Sequence, residues 1–138
     1  MIVEELIAKA AEARSRAYAP YSGFCVGAAI EAEDGRIVVG CNVENASFGL
    51  GVCAERAAVT AAVSQGISGW LRIAVVAESS EPVAPCGACR QVLSEFCDEL
   101  EVILADSNGV RMVTPLSELL PRPFGAEQLG GDEHQVRP

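Results

Sequence analysis

Positive charge is what this chain has least of. Ten Lys and Arg stand against nineteen Asp and Glu, giving a formal net charge of −9. The few cations are scattered singly. That excludes a general nucleic-acid binder, because affinity for a phosphate backbone needs clustered Lys and Arg. A small neutral substrate stays compatible with such an acidic surface. Long apolar runs are missing as well, and none approaches the length of a membrane span. Glu4, Glu5 and Lys9 stand where a signal peptide would need an unbroken apolar stretch, so a cytoplasmic protein with no membrane partner is expected. Without secretion, the glycosylation pattern Asn45-Ala46-Ser47 is an accidental match. Histidine occurs once, as His134 in the polar tail. Internal repeats, linkers and low-complexity tracts are absent.

What is present fits a globular domain. The 138 residues, half of them hydrophobic, leave no room for a second core, so residues 1–138 are expected to form one domain. Val3 to Ala17 reads as a helix without a breaker. Two apolar runs, Phe24 to Glu31 and Ile37 to Val43, flank Glu33-Asp34-Gly35-Arg36, a hairpin signal. An Ala-rich helix is expected over Val52 to Ser64, a buried strand over Leu71 to Ala77, and a third helix over Gly87 to Leu100. Glu101 to Ala105 and Val110 to Val113 flank a second turn signal, and Thr114-Pro115 opens a short helix through Leu120. Helices between short strands, with hairpins at both ends, predict an α/β fold, a three-layer α/β/α sandwich with a mixed sheet of about five strands. Residues 130–138 are expected to form a mobile tail.

Six cysteines in a reducing compartment argue against a disulfide framework and for metal binding or burial. Cys25, Cys41 and Cys97 lie alone in apolar or helical stretches and read as small buried hydrophobes. Cys53, Cys86 and Cys89 differ. Cys86-Gly87-Ala88-Cys89 is a CxxC after Pro85, with Cys53-Ala54-Glu55 upstream. A CxxC alone also fits redox or structural zinc sites. Here no fourth cysteine stands at knuckle spacing and the one histidine lies in the tail. Three protein ligands with one open position is the arrangement of a catalytic zinc. All three cysteines fall at expected helix starts, where the helix dipole favours thiolates. Glu55 stands close enough to serve a metal site without ligating it.

Together these segments resemble the small zinc-dependent cytidine deaminases. Tyr21-Ser22-Gly23-Phe24-Cys25-Val26-Gly27-Ala28-Ala29 is similar to the family's first-strand segment, and Cys41-Asn42-Val43-Glu44-Asn45-Ala46-Ser47 to its substrate loop. Cys53-Ala54-Glu55-Arg56 and Pro85-Cys86-Gly87-Ala88-Cys89-Arg90-Gln91 resemble its two zinc motifs. Leu119-Leu120-Pro121, with Phe124 and Leu129, resembles its C-terminal segment. Phe48 and Ala84 depart from it, standing where Tyr and Ser are frequent.

The resemblance implies that Cys53, Cys86 and Cys89 hold Zn²⁺, which activates a water for attack at the pyrimidine C4, while Glu55 moves the protons. It also implies that Arg56 donates to the ligand sulfurs and offsets their charge. Phe24 would stack on the base, with backbone contacts from Ala54 and Ala84. Asn42 and Glu44 would hold the ribose 3′-hydroxyl. The partners implied are a free nucleoside and further copies of the chain in a homotetramer, where Phe48 and Phe124 close neighbouring sites. Three other readings exist. One is a deaminase of a cytosine-containing antibiotic, against which the Asn42-Val43-Glu44-Asn45 loop speaks. Another is a polynucleotide deaminase, against which the charge speaks. The last is a zinc-stapled binding module, which predicts no turnover.

Overall fold

The computed structural model describes residues 2–79, 81–106, 108–109 and 111–130. The expected tail falls on 131–138, outside the described residues apart from Gly130, which ends a 3-10 turn in the left-handed region. The elements run α1 (Ile2–Arg14), β1 (Val26–Ala32), β2 (Ile37–Cys41), α2 (Ala54–Ser64), β3 (Trp70–Ala77), α3 (Gly87–Phe96), β4 (Glu101–Asp106), β5 (Arg111–Pro115) and α4 (Leu116–Leu119). Short 3-10 turns at Phe48–Leu50 and Ala126–Leu129 were not expected from the sequence.

The five strands form one sheet in the order β2-β1-β3-β4-β5. β3 and β4 pair in parallel through the α3 crossover, and every other pairing is antiparallel. Alternating side chains divide the core between the two faces. Ala29, Ala74, Val76 and Ile103 pack against Leu6 and Ala10 of α1. Ala28, Ile30, Ile73, Val75 and Val102 pack on the other face, against Ala54, Ala58 and Ala62 of α2 and Leu93 of α3. The sheet is thus mixed, five-stranded and covered on both faces, as expected.

Two helix ends fall short of the sequence reading. α1 stops at Arg14 because the next three amides bond only three residues back, Ser15 to Glu12, Arg16 to Ala13 and Ala17 to Arg14. This tightening is how helix ends commonly fray into 3-10 geometry. α3 stops at Phe96, where Cys97 turns extended. The chain must then return at once to the sheet, with Leu100 buried and its carbonyl accepting from the Leu116 amide. Thr114 and Pro115 belong to β5 rather than to the following helix. Among the described residues, no helix is long and apolar enough to cross a membrane.

Candidate active site

One edge of the sheet gathers the start of β1, the ends of β2 and β3 and the first turns of α2 and α3. Val26 lies directly opposite Ala77 there. Parallel α/β sheets place ligands at the carboxyl ends of their strands, where helix N-termini point. A cavity of about 200 Å³ opens at this edge, walled by Phe24, Asn42, Cys53, Ala54, Glu55 and Cys86, with Val26, Val75, Ala77, Val83 and Ala84 also lining it.

Cys53 and Cys86 are the N-cap residues of α2 and α3, and Cys89 lies in the first turn of α3. Their sulfurs converge. Cys53 Sγ and Cys86 Sγ are 4.0 Å apart, Cys86 Sγ and Cys89 Sγ 3.4 Å, and all three lie within 4.8 Å of one another. Tetrahedral ligands at the usual Zn–S length of about 2.3 Å sit about 3.8 Å from each other, so the spacing fits Zn²⁺. Among the described residues, no other grouping of Cys, His, Asp or Glu is close enough to hold an ion.

The electrostatics call for a cation. Burial, reinforced by the Glu55 charge, pushes the Cys89 thiol well up. Burial also opposes ionisation of Cys86, but hydrogen bonding from the Cys89 amide and the neighbouring thiols outweighs it and draws that thiol down. Glu55 is only 5% exposed, and burial lifts its carboxyl above the ordinary range. A positive ion amid these sulfurs favours the charged forms of Cys89 and Glu55, which burial alone opposes.

Arg56 approaches from the next position of α2, its Nη2 lying 3.7 Å from Cys53 Sγ and 3.4 Å from the Gly51 carbonyl. The bond to Cys53 holds the guanidinium more firmly in its charged form.

Asn42 and Glu44 part company. Asn42 lines the cavity, its Oδ1 accepting from the Val26 amide at 2.8 Å and its Nδ2 donating to the Phe24 carbonyl at 2.8 Å. Glu44 lines a second, more open cavity of about 360 Å³ with Tyr21, Ser22, Asn45, Phe48 and Gly51. Its Oε1 accepts the Tyr21 amide at 2.9 Å and the Ser22 amide at 3.1 Å, and its Oε2 the Ser22 hydroxyl. The Ser22 hydroxyl bond is the main reason that carboxyl is drawn below its usual range.

Phe48 is 81% exposed and meets Tyr21 edge-on at 5.9 Å between ring centres. Phe124 is exposed and lines neither cavity, but its backbone is clamped by Gln91, which donates to its carbonyl at 2.6 Å and accepts from its amide at 3.3 Å. Sequence reasoning missed that clamp. It also missed Arg90, which ties Pro85, just ahead of Cys86, to the Leu119 carbonyl of α4 at 2.8 and 3.0 Å. Ser22, Arg90 and Gln91 stand inside recognised motifs, which was the available signal.

A three-thiol centre at paired helix N-termini, with a buried carboxyl beside it and an apolar cavity in front, has the layout of a catalytic zinc site. A family model described as the cytidine and deoxycytidylate deaminase zinc-binding region matches residues 2–105, and the chain belongs to that family. It is similar to the cytidine deaminase of Sporosarcina psychrophila, 49% identical across 94% of this chain and 96% of that one. It is likewise 49% identical to the cytidine deaminase of Halalkalibacterium halodurans, over 90% of this chain and 95% of that one. The crystal structure of cytidine deaminase from Burkholderia pseudomallei superposes with a TM-score of 0.87 at 50% identity, covering 90% of this chain and all of that one.

Proposed function

We propose that this chain deaminates cytidine and deoxycytidine by hydrolysis, giving uridine and deoxyuridine and releasing ammonia. The observation that carries the reading is the shared cavity, which holds Cys53, Cys86 and the buried Glu55 carboxyl together with the ring of Phe24. Zn²⁺ held by Cys53, Cys86 and Cys89 supplies the Lewis acidity that makes a water nucleophilic near neutral pH.

The remaining work falls to the chain. Water adds to the pyrimidine C4 and the C4–N4 bond breaks, so protons must move to the ring nitrogen and to the departing amine. Glu55 accepts the water's proton and delivers it in turn, its carboxyl buried in the cavity beside Cys53 and Cys86. Arg56 offsets thiolate charge at Cys53. Phe24, Val26, Val75 and Ala77 give the base an apolar slot.

The sugar falls to Asn42 and Glu44. Asn42 spends one of its two amide hydrogens on Phe24 and keeps the other for a ribose hydroxyl. Glu44 Oε2 holds the Ser22 hydroxyl with one lone pair, leaving the other for the ribose 3′-hydroxyl. Phe48 and Phe124 are covered by neighbouring copies in a homotetramer, and the enzyme works in the cytoplasm. Following absorbance as cytidine becomes uridine, before and after chelation of the metal, tests the reading. No ammonia from the metal-loaded protein would leave a zinc-stapled binding module instead.

A further inference from the structure

Two glycines in the sheet let helices settle closer than any side chain would allow, and only one of those helices carries chemistry. A Cβ on Gly40 of β2 would lie 2.4 Å from the Ala58 nitrogen, 2.7 Å from the Ala54 carbonyl oxygen and 2.9 Å from the Ala57 carbonyl carbon. All three are backbone atoms of α2 and cannot swing aside as a flexible side chain could. A Cβ on Gly27 of β1 would lie 1.9 Å from the Ala10 carbonyl oxygen and 2.5 Å from the Arg14 nitrogen, both in α1. Neither glycine has a positive φ, so close approach explains them better than backbone freedom does.

The seat of α2 fixes where its first turn stands. Cys53, Ala54, Glu55 and Arg56 all leave that turn, whereas Cys86 and Cys89 leave α3. The three-sulfur centre therefore spans two helices, and its geometry depends on how far α2 sits from the sheet. Restoring ordinary contact after adding one carbon at position 40 requires α2 to rise by roughly 1 Å. That displacement lands on the Cys53 ligand and on the Glu55 carboxyl together.

We propose that Gly40 is a positioning residue for the deamination, setting the height of α2 so that Cys53 and Glu55 meet the α3 thiols in register. The inference rests on the functional reading above.

Three variants test it: Gly40→Ala, Ala58→Ser and Gly27→Ala. Ala58 is fully buried in the core that α2 shares with the sheet, so Ser there adds one atom to that packing from the helix side. Each protein is assayed for kcat and KM on cytidine and for melting midpoint. Each is also stripped and reloaded with Co²⁺, whose thiolate charge-transfer and ligand-field bands report the coordination geometry. Gly40→Ala is expected to lose on the order of 10²-fold in kcat, as a misplacement of about 1 Å can cost, with altered Co²⁺ bands and a smaller change in KM. Ala58→Ser gives the same signature in weaker form. Gly27→Ala melts earlier but keeps the parent's kcat and Co²⁺ spectrum.

The proposal is overturned if Gly40→Ala retains the parent's kcat and spectrum, or if Gly27→Ala disturbs them equally. Should Gly40→Ala not fold, the Co²⁺ spectrum of Ala58→Ser decides: altered bands support the proposal and unaltered bands overturn it. A parent protein that binds Co²⁺ through thiolates yet leaves cytidine intact would instead sink the functional reading, with the spectra still judging Gly40.

Discussion

The two cavities lie against neighbouring stretches of chain, yet they are built differently. The inner one is backed by β1, β3 and the starts of α2 and α3, with the loop residues Phe24, Asn42, Val83 and Ala84 completing its lining, and its reactive carboxyl, on α2, is 5% exposed. The outer one is walled by loop residues, Tyr21, Ser22, Glu44, Asn45, Phe48 and Gly51, and its most prominent ring is 81% exposed. Groups that must meet a reacting atom within a fraction of an ångström are held by regular elements, where packing fixes them. Groups that grip the far end of a substrate sit on loops, which tolerate adjustment. The inner cavity gathers its thiols and its carboxyl from one chain, whereas the outer one leaves an aromatic side chain uncovered.

That contrast predicts that inner-cavity changes strike turnover and outer-cavity changes strike binding. The largest effect is expected from Glu55→Gln. Gln keeps the size of Glu but cannot carry the proton, and a positioned acid/base contributes about 10²- to 10⁴-fold. Metal content should be unchanged, since three thiols supply the ligands. Measuring bound zinc beside single-turnover rate separates the outcomes: loss of the metal would make Glu55 a ligand, and an unaltered rate would end its catalytic assignment. Cys53→Ser should behave the other way, with activity falling because zinc leaves readily when a soft thiolate is replaced. Competition with a chromophoric chelator reads that out directly, and zinc held as firmly as in the parent would remove Cys53 from the ligand set.

Arg56→Gln comes next, at about 10- to 100-fold in metal affinity or activity, the usual cost of removing a partner of a ligand. The variant should keep its fold, because the side chain serves the site's thiols, Cys53 and Cys89, and the Gly51 carbonyl rather than the core. Unchanged turnover and zinc content would return Arg56 to an ordinary helix-surface role.

The same contrast marks what the sequence made legible. The three cysteines and Glu55 announce themselves because their relation is local: each motif spans a few residues at a helix start, where spacing and orientation are tied together. The mixed five-stranded sheet followed from alternating element types and two hairpin signals. The sugar-facing residues offered less. Asn42, at the inner cavity, and Glu44, at the outer one, find their partners 16 to 23 residues away, at Phe24, Val26, Tyr21 and Ser22. Only the fold brings those groups together. The end of α3 at Phe96 was hidden for a similar reason, since the pull that stops it comes from Leu116 on Leu100. Gly40 left no readable sign, because a glycine within a strand is equally consistent with a bulge, a bend or a close approach.

The smallest expected effect tests the outer cavity itself. Among the described residues, Tyr21 is the one ring that Phe48 meets, and Leu50 beside it is also exposed. If neighbouring copies cover this face, truncating the ring removes contact area between chains and loosens the wall beside Glu44 without touching the inner cavity. Aromatic anchors at interfaces commonly cost above about 1 kcal/mol when cut back, which corresponds to roughly a five-fold change. Phe48→Ala is therefore expected to raise KM for cytidine about five-fold and to shift sedimentation toward smaller species on dilution, while kcat at saturating substrate stays at the parent's value. Tyr at position 48 should leave both unchanged, since packing rather than a hydroxyl is what the position supplies. A fully active monomer at every concentration would remove the neighbouring copy from the site. A drop in kcat with KM unmoved would instead show that the outer cavity shares in the chemistry, and the division between the two regions would not hold.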